Sequence, residues 1–159
     1  MHPLRLLVLA VLVTGAHALL APAGILAEET PRIVPAVPDE RARYLFRITL
    51  HTPVEIEGLL TRAEQLAKAR RPADRRAGIA LVLHGPEIEI FARKNYSKYK
   101  SIVDRAARLD ADGVIEVKMC QTEMRSRGIR TEDVPAFIEF VPYGPDEEER
   151  LQRRGYVYL

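Results

Sequence analysis

Ile79-Ala80-Leu81-Val82-Leu83-His84-Gly85-Pro86 is the stretch from which the fold can be read. Five apolar residues run without a break and stop abruptly at His84-Gly85-Pro86. An unbroken apolar run of strand length is the pattern of a β-strand covered on both faces, as in the middle of a parallel sheet. Upstream, residues 44–50 alternate, with Phe46, Ile48 and Leu50 on one face and Arg47 and Thr49 on the other, and read as a first strand. Between the two lies a helix start. Thr52 can cap, Pro53 suits the first helical position, and Glu55 stands where it can reach back to complete a capping box. Ile56, Leu59, Leu60, Ala63, Leu66 and Ala67 follow at helical spacing, and this helix is predicted to end at residues 70–72.

Downstream the alternation continues. Residues 87–91 fit either a short extra strand or the lead into a helix. Tyr99, Ile102, Val103, Ala106 and Leu109 mark a helix that ends at residues 110–113. Residues 114–119 read as a third strand, residues 121–127 as a short helix closed by Gly128, and residues 131–134 as a brief turn or helix. Residues 137–141 are a fourth strand. Gly144-Pro145 opens the last helix, with Asp146, Glu147, Glu148 and Glu149 near its positive end and Arg153 and Arg154 near its negative end. Gly155 closes it, and residues 156–159 supply a fifth strand. Strand and helix alternating in this way predict an α/β domain, a doubly wound, mainly parallel five-stranded sheet with residues 79–83 at its centre. Glu116 and Lys118 share one face of the third strand. They imply either a face that is partly wet or meets another subunit, or an edge strand carrying ordinary charges.

The chain has 159 residues, 47% of them hydrophobic and 29% charged, which fits one globular domain over residues 44–159. The formal net charge is +2 and the basic residues are scattered, so nucleic acid is not implied as a partner. One Cys and four His leave no zinc cluster and no intrachain disulfide to be expected. The N-terminus has a basic start through Arg5, an apolar run over residues 6–13 and small residues after it, the layout of a secretory signal peptide over residues 1–27. The domain is then exported, periplasmic or secreted, without a membrane span of its own; an uncleaved N-terminal anchor is the alternative. Residues 28–43, with Pro31, Pro35 and Pro38, read as an extended leader.

Open α/β sheets bind and react at the carboxyl ends of their strands. Cys120 falls there, between the third strand and a short helix. Free N–H groups and the positive end of a helix favour a thiolate at such a place, and Lys118 and Arg125 are near in sequence, with Glu123 opposing them. The alternative is a small buried core residue, the usual fate of a single cysteine. His84 follows the central strand at the same end of the sheet. It is a candidate to polarise a substrate or shuttle a proton, or else to serve the turn shaped by Gly85 and Pro86. Tyr96 and Tyr99 read as packing or surface-lining residues, and His51, beside the helix cap, has no identifiable partner.

Val114-Ile115-Glu116-Val117-Lys118-Met119-Cys120, with the following segment to Gly128-Ile129, resembles the cysteine-bearing segment of the DsrE/DsrF-like family, which includes sulfur-relay subunits of the TusD type. The strand ending in His84-Gly85-Pro86 is similar too. So are the Thr131-Glu132-Asp133 turn and the close from Leu151-Gln152 to Gly155-Tyr156-Val157-Tyr158. The resemblance implies a flavodoxin-like sheet and assembly into trimers or hexamers. It also implies a sulfur carrier that holds sulfane sulfur as a persulfide on Cys120 between donor and acceptor proteins, a sulfurtransferase role without metal or cofactor. Carried over, that role falls on Cys120 alone, and His84, Gly85 and Lys118 are supporting candidates by their place in the sequence. The chain departs from the family's best-understood relay subunits in reading as exported. The rival expectation is a non-catalytic oligomeric binding or assembly protein with a structural cysteine.

Overall fold

The computed structural model describes residues 42–70 and 78–159. Residues 1–27, read from the sequence as a signal peptide, and residues 28–41 of the expected leader lie outside the described residues. Arg43, the last leader residue, is the first of a strand.

Five strands, β1 (Arg43–Phe46), β2 (Ile79–Leu83), β3 (Ile115–Cys120), β4 (Glu139–Val141) and β5 (Tyr156–Tyr158), form one sheet in the order β4-β3-β2-β1-β5. Every pairing is parallel. The helices are α1 (Pro53–Ala69), α2 (Ile88–Phe91), α3 (Tyr96–Ala111), α4 (Gln121–Ser126) and α5 (Gly144–Arg153), with single 3-10 turns at Arg93–Asn95 and Thr131–Asp133. The doubly wound, mainly parallel α/β expectation therefore holds, and the undecided segment at 87–91 is helical. None of the described helices is long and apolar enough to cross a membrane.

Strand alternation divides the core in two. Tyr44, Phe46, Ile79, Leu81, Leu83, Ile115, Val117 and Met119 face the apolar stripes of α1 and α3. Leu45, Ala80 and Val82 face the other way and meet Leu151 of α5 together with Tyr156. β2 is buried at every position because both faces are covered and both edges paired, as its unbroken apolar run requires.

Two expectations are corrected. The first strand ends at Phe46, not at residue 50, and Leu50 is 69% exposed instead of sharing the core face. The cause is Glu55. Its carboxylate accepts the N–H groups of Thr49 (2.7 Å), Leu50 (2.9 Å) and His51 (2.7 Å), drawing that segment off the sheet. Thr52 Oγ1 accepts the Glu55 N–H at 3.2 Å, so the helix start forms as read, with the glutamate reaching further back than a capping box needs. Secondly, β3 is an interior strand, between β2 and β4, and the edge-strand reading of Glu116 and Lys118 falls. Lys118 is buried and ion-paired to Glu139, to Glu116 at 3.4 Å and to Glu147 of α5 at 3.6 Å. A lysine among three carboxylates keeps its charge under cover. Burial opposes the ammonium, but Glu139, Glu116 and Glu147 outweigh it and raise its pKa.

Candidate functional site at the carboxyl end of the sheet

Parallel strands deliver their carboxyl ends to one rim, and Cys120, His84 and Gly85 lie there. Cys120 is both the last residue of β3 and the N-cap of α4. Its backbone is extended (φ −69°, ψ 115°), and Sγ accepts the Glu123 N–H at 3.4 Å, taking one of the donors that a helix start leaves open. The residue is 2% exposed. By alternation its side chain lies on the Glu116–Lys118 face of β3.

The charges expected around the thiol are largely engaged elsewhere. Lys118 faces its carboxylates, Arg125 donates to Thr122 Oγ1 at 3.0 Å, and the Glu123 carboxylate is paired with Arg127 at 2.6 Å.

His84 is one step past the last registered pair of β2 and β3, Leu83 with Met119, so it stands level with Cys120 on the adjoining strand end. Its ring lies against the first residue of α5: a Cβ added at Gly144 would come within 2.4 Å of the His84 Cβ. Nε2 is 3.4 Å from Glu148 Oε1. The bond to Glu148 raises the His84 pKa, burial pulls it down, and the charges of Glu148 and Glu87 add to the rise. For Glu148, burial pushes upward, and the His84 and Tyr158 contacts prevail to hold it below the usual carboxylate range.

Gly85 is required by its neighbours. A Cβ there would lie 2.5 Å from His51 Nδ1 and 2.7 Å from Glu87 Oε2. This exposes what the sequence reading missed. His51 does have a partner: Nδ1 donates to Glu87 Oε2 at 2.5 Å, while Glu87 Oε1 accepts the N–H groups of His84 (2.7 Å) and Gly85 (2.9 Å). The His51 and His84 rings meet edge to face, centroids 6.2 Å apart. Beyond Glu148, Tyr158 donates to Oε2 at 2.9 Å, and the Arg47 guanidinium lies 3.9 Å from the centre of its ring. Burial, then the Glu148 contact, pushes the Tyr158 hydroxyl up to about 12.

Arg47 and His51 follow the end of β1 and Glu87 is the N-cap residue of α2, and that position was the available signal. Their pairing depends on the sheet. Among the described residues, hollows elsewhere include one of about 490 Å³ bordered by Glu64, Lys68, Asp112 and Val114, and one of about 310 Å³ bordered by Phe91, Tyr96, Val103 and Phe137. Among the described residues no group of three or more His, Cys, Asp or Glu is arranged to hold a metal.

Comparison with known proteins agrees with the fold. The model of the DsrE/DsrF-like family matches residues 57–159, well over half of the chain. No curated protein matches it. A solved structure described as a protein of unknown function, MTH1491 from Methanobacterium thermoautotrophicum, superposes with a TM-score of 0.61. It is 18% identical, and the alignment covers 74% of this chain and 97% of that one.

Proposed function

Since the chain belongs to the DsrE/DsrF-like family, we propose that it works in sulfur relay, with Cys120 holding sulfane sulfur as a persulfide. The Cys120 thiolate attacks the outer sulfur of a persulfide donor, R–S–SH. The new bond joins Sγ to that sulfur, the donor's S–S bond breaks, and R–S⁻ leaves; an acceptor thiolate later removes the sulfur by the reverse chemistry. The observation that carries the reading is the seat of the sulfur: Cys120 ends β3 at the carboxyl rim of the sheet, with a helix-start N–H on Sγ at 3.4 Å. Such a donor stabilises negative charge on sulfur whenever the proton leaves. Because Cys120 is 2% exposed, the reading requires a local opening of the rim to bring a donor to Sγ. The same proposal includes export with removal of residues 1–27, a homo-oligomer (trimer or hexamer), and donor and acceptor proteins as partners.

The test is intact mass after incubation with a persulfide donor. Wild type is expected to gain about 32 Da, one sulfur, reversibly with reductant, and Cys120→Ser nothing. An unchanged wild-type mass would sink the reading.

One observation favours a second reading, an oligomeric binding or assembly protein with a structural cysteine: the 2% exposure of Cys120. A thiol inert to alkylating reagents until the protein unfolds would decide for it.

A further inference from the structure

The sulfur of Cys120 has no base of its own in contact with it, yet proton transfer is needed when a donor thiol leaves and when an acceptor thiol arrives. The rim carries one group built for that task. His51 is the only non-glycine residue with a left-handed backbone among the described residues (φ 53°), a conformation that a β-carbon makes costly and that persists where surrounding contacts enforce it. Here they do. Glu55 holds its N–H, Glu87 holds Nδ1, and Gly85 leaves the space in which the ring lies. Glu87 is fully buried, and two backbone N–H groups fix its other oxygen, so it cannot turn away. A carboxylate accepting from Nδ1 assigns the hydrogen of the neutral ring to Nδ1 and the lone pair to Nε2. Among the described residues Nε2 has no partner, and the side chain is 27% exposed.

From this geometry we infer that His51, positioned by Glu87, is the proton-transfer residue of the rim and acts on the thiol of the sulfur donor or acceptor. The inference rests on Cys120 as the carrier. During loading, the His51 imidazolium gives its Nε2 proton to the leaving R–S⁻, so that the donor departs as R–SH and His51 becomes neutral. During unloading, neutral His51 takes the proton of the acceptor thiol, whose thiolate attacks the outer sulfur of Cys120–S–SH. The acceptor leaves as a persulfide, and Cys120 thiolate and the imidazolium are restored. No oxidant or reductant is consumed. Glu87 is the positioning residue. The other titratable groups around the ring are His84 from the end of β2, Glu148 of α5 behind it, and Glu55 of α1 on the His51 N–H. His51 lies before the segment matched by the family model, whereas His84, Glu87 and Cys120 lie within it.

The experiment is single-turnover loading and unloading of Cys120 in the full chain, followed by mass across pH, with glutathione persulfide as donor and glutathione as acceptor. It is paired with nitrogen NMR of the histidine ring. His51→Asn suits the test because Asn tolerates a left-handed backbone and cannot exchange the proton. Wild type is expected to show hydrogen on His51 Nδ1 and a histidine limb in the pH profile. His51→Asn should lose that limb and slow unloading by about 100-fold or more. Glu87→Gln should move the hydrogen to Nε2 and slow unloading without unfolding the protein. Wild type and His51→Asn loading and unloading at equal rates with equal pH profiles would overturn the inference and leave the carrier reading standing. Failure of wild type to load at all would overturn both.

Discussion

At the scale of single residues, the rim is organised by what small side chains leave open. Gly85 and Gly144 admit the rings of His51 and His84 at distances no β-carbon could share, the nearest ring atoms 2.5 Å and 2.9 Å from where one would stand. Gly85→Ala is expected to destabilise the protein by about 1–3 kcal/mol through overpacking, seen as a lower denaturant midpoint with unchanged slope. Gly58, within α1, has nothing within 4 Å of an added Cβ, and Gly58→Ala should raise stability by about 0.5–1 kcal/mol in the same measurement. A composition count cannot separate these glycines, since the difference lies in neighbours brought from elsewhere in the chain. Cys120 was legible because its position follows from the local sequence alone, an alternating strand followed by a short helix. His51 was not, because Glu87 is 36 positions away and meets it only when β1 and β2 pair.

At the scale of elements, the boundaries followed side-chain chemistry more than propensity. The alternation at 44–50 is real, yet Glu55 takes three N–H groups of that segment, and the strand stops at Phe46. No periodicity encodes a carboxylate's choice among nearby donors. Thr52→Ala should cost about 1 kcal/mol by loss of the cap at α1. Burial pushes the Glu55 pKa upward, and the Thr49, Leu50 and His51 N–H groups, followed by the charge of His51, outweigh it, so the folded value is lowered. Its contribution to stability is therefore present above the ordinary glutamate range and lost as pH falls through the depressed value. Glu55→Gln should flatten the acid limb of a stability–pH curve, and an unchanged limb would refute the assignment. α5 packs on the sheet through Leu151, which meets Leu45, Ala80 and Val82. Leu151→Ala should cost about 2–5 kcal/mol in chemical denaturation.

At the scale of the molecule, an all-parallel five-stranded sheet places every strand's carboxyl end on one rim, and the order β4-β3-β2-β1-β5 sets Cys120 at the end of β3, His84 just past β2 and His51 in the loop between β1 and α1. The helix order and the central strand could be read in advance because burial on two faces leaves an unbroken apolar run. The rim's pairings could not, because they form between elements. The His84–Glu148 pair gives the whole fold a pH signature. The raised His84 value means its contribution is complete below the ordinary histidine value of 6.5 and is lost as pH rises through the folded value. The lowered Glu148 value means its contribution is complete above 4.5 and is lost as pH falls through the folded value. The pair should contribute most between those limits, and His84→Gln should remove the alkaline decline in thermal stability across the histidine range. The central claim, sulfur carriage on a covered thiol, is tested most directly by timing sulfur gain at Cys120 in native protein against the rate of global unfolding. A gain confined to Cys120 and much faster than unfolding is the expected result, since the proposal requires Sγ to be reached by local opening and not by melting of the sheet. Sulfur gained only as fast as the protein unfolds, or not at all, would contradict it.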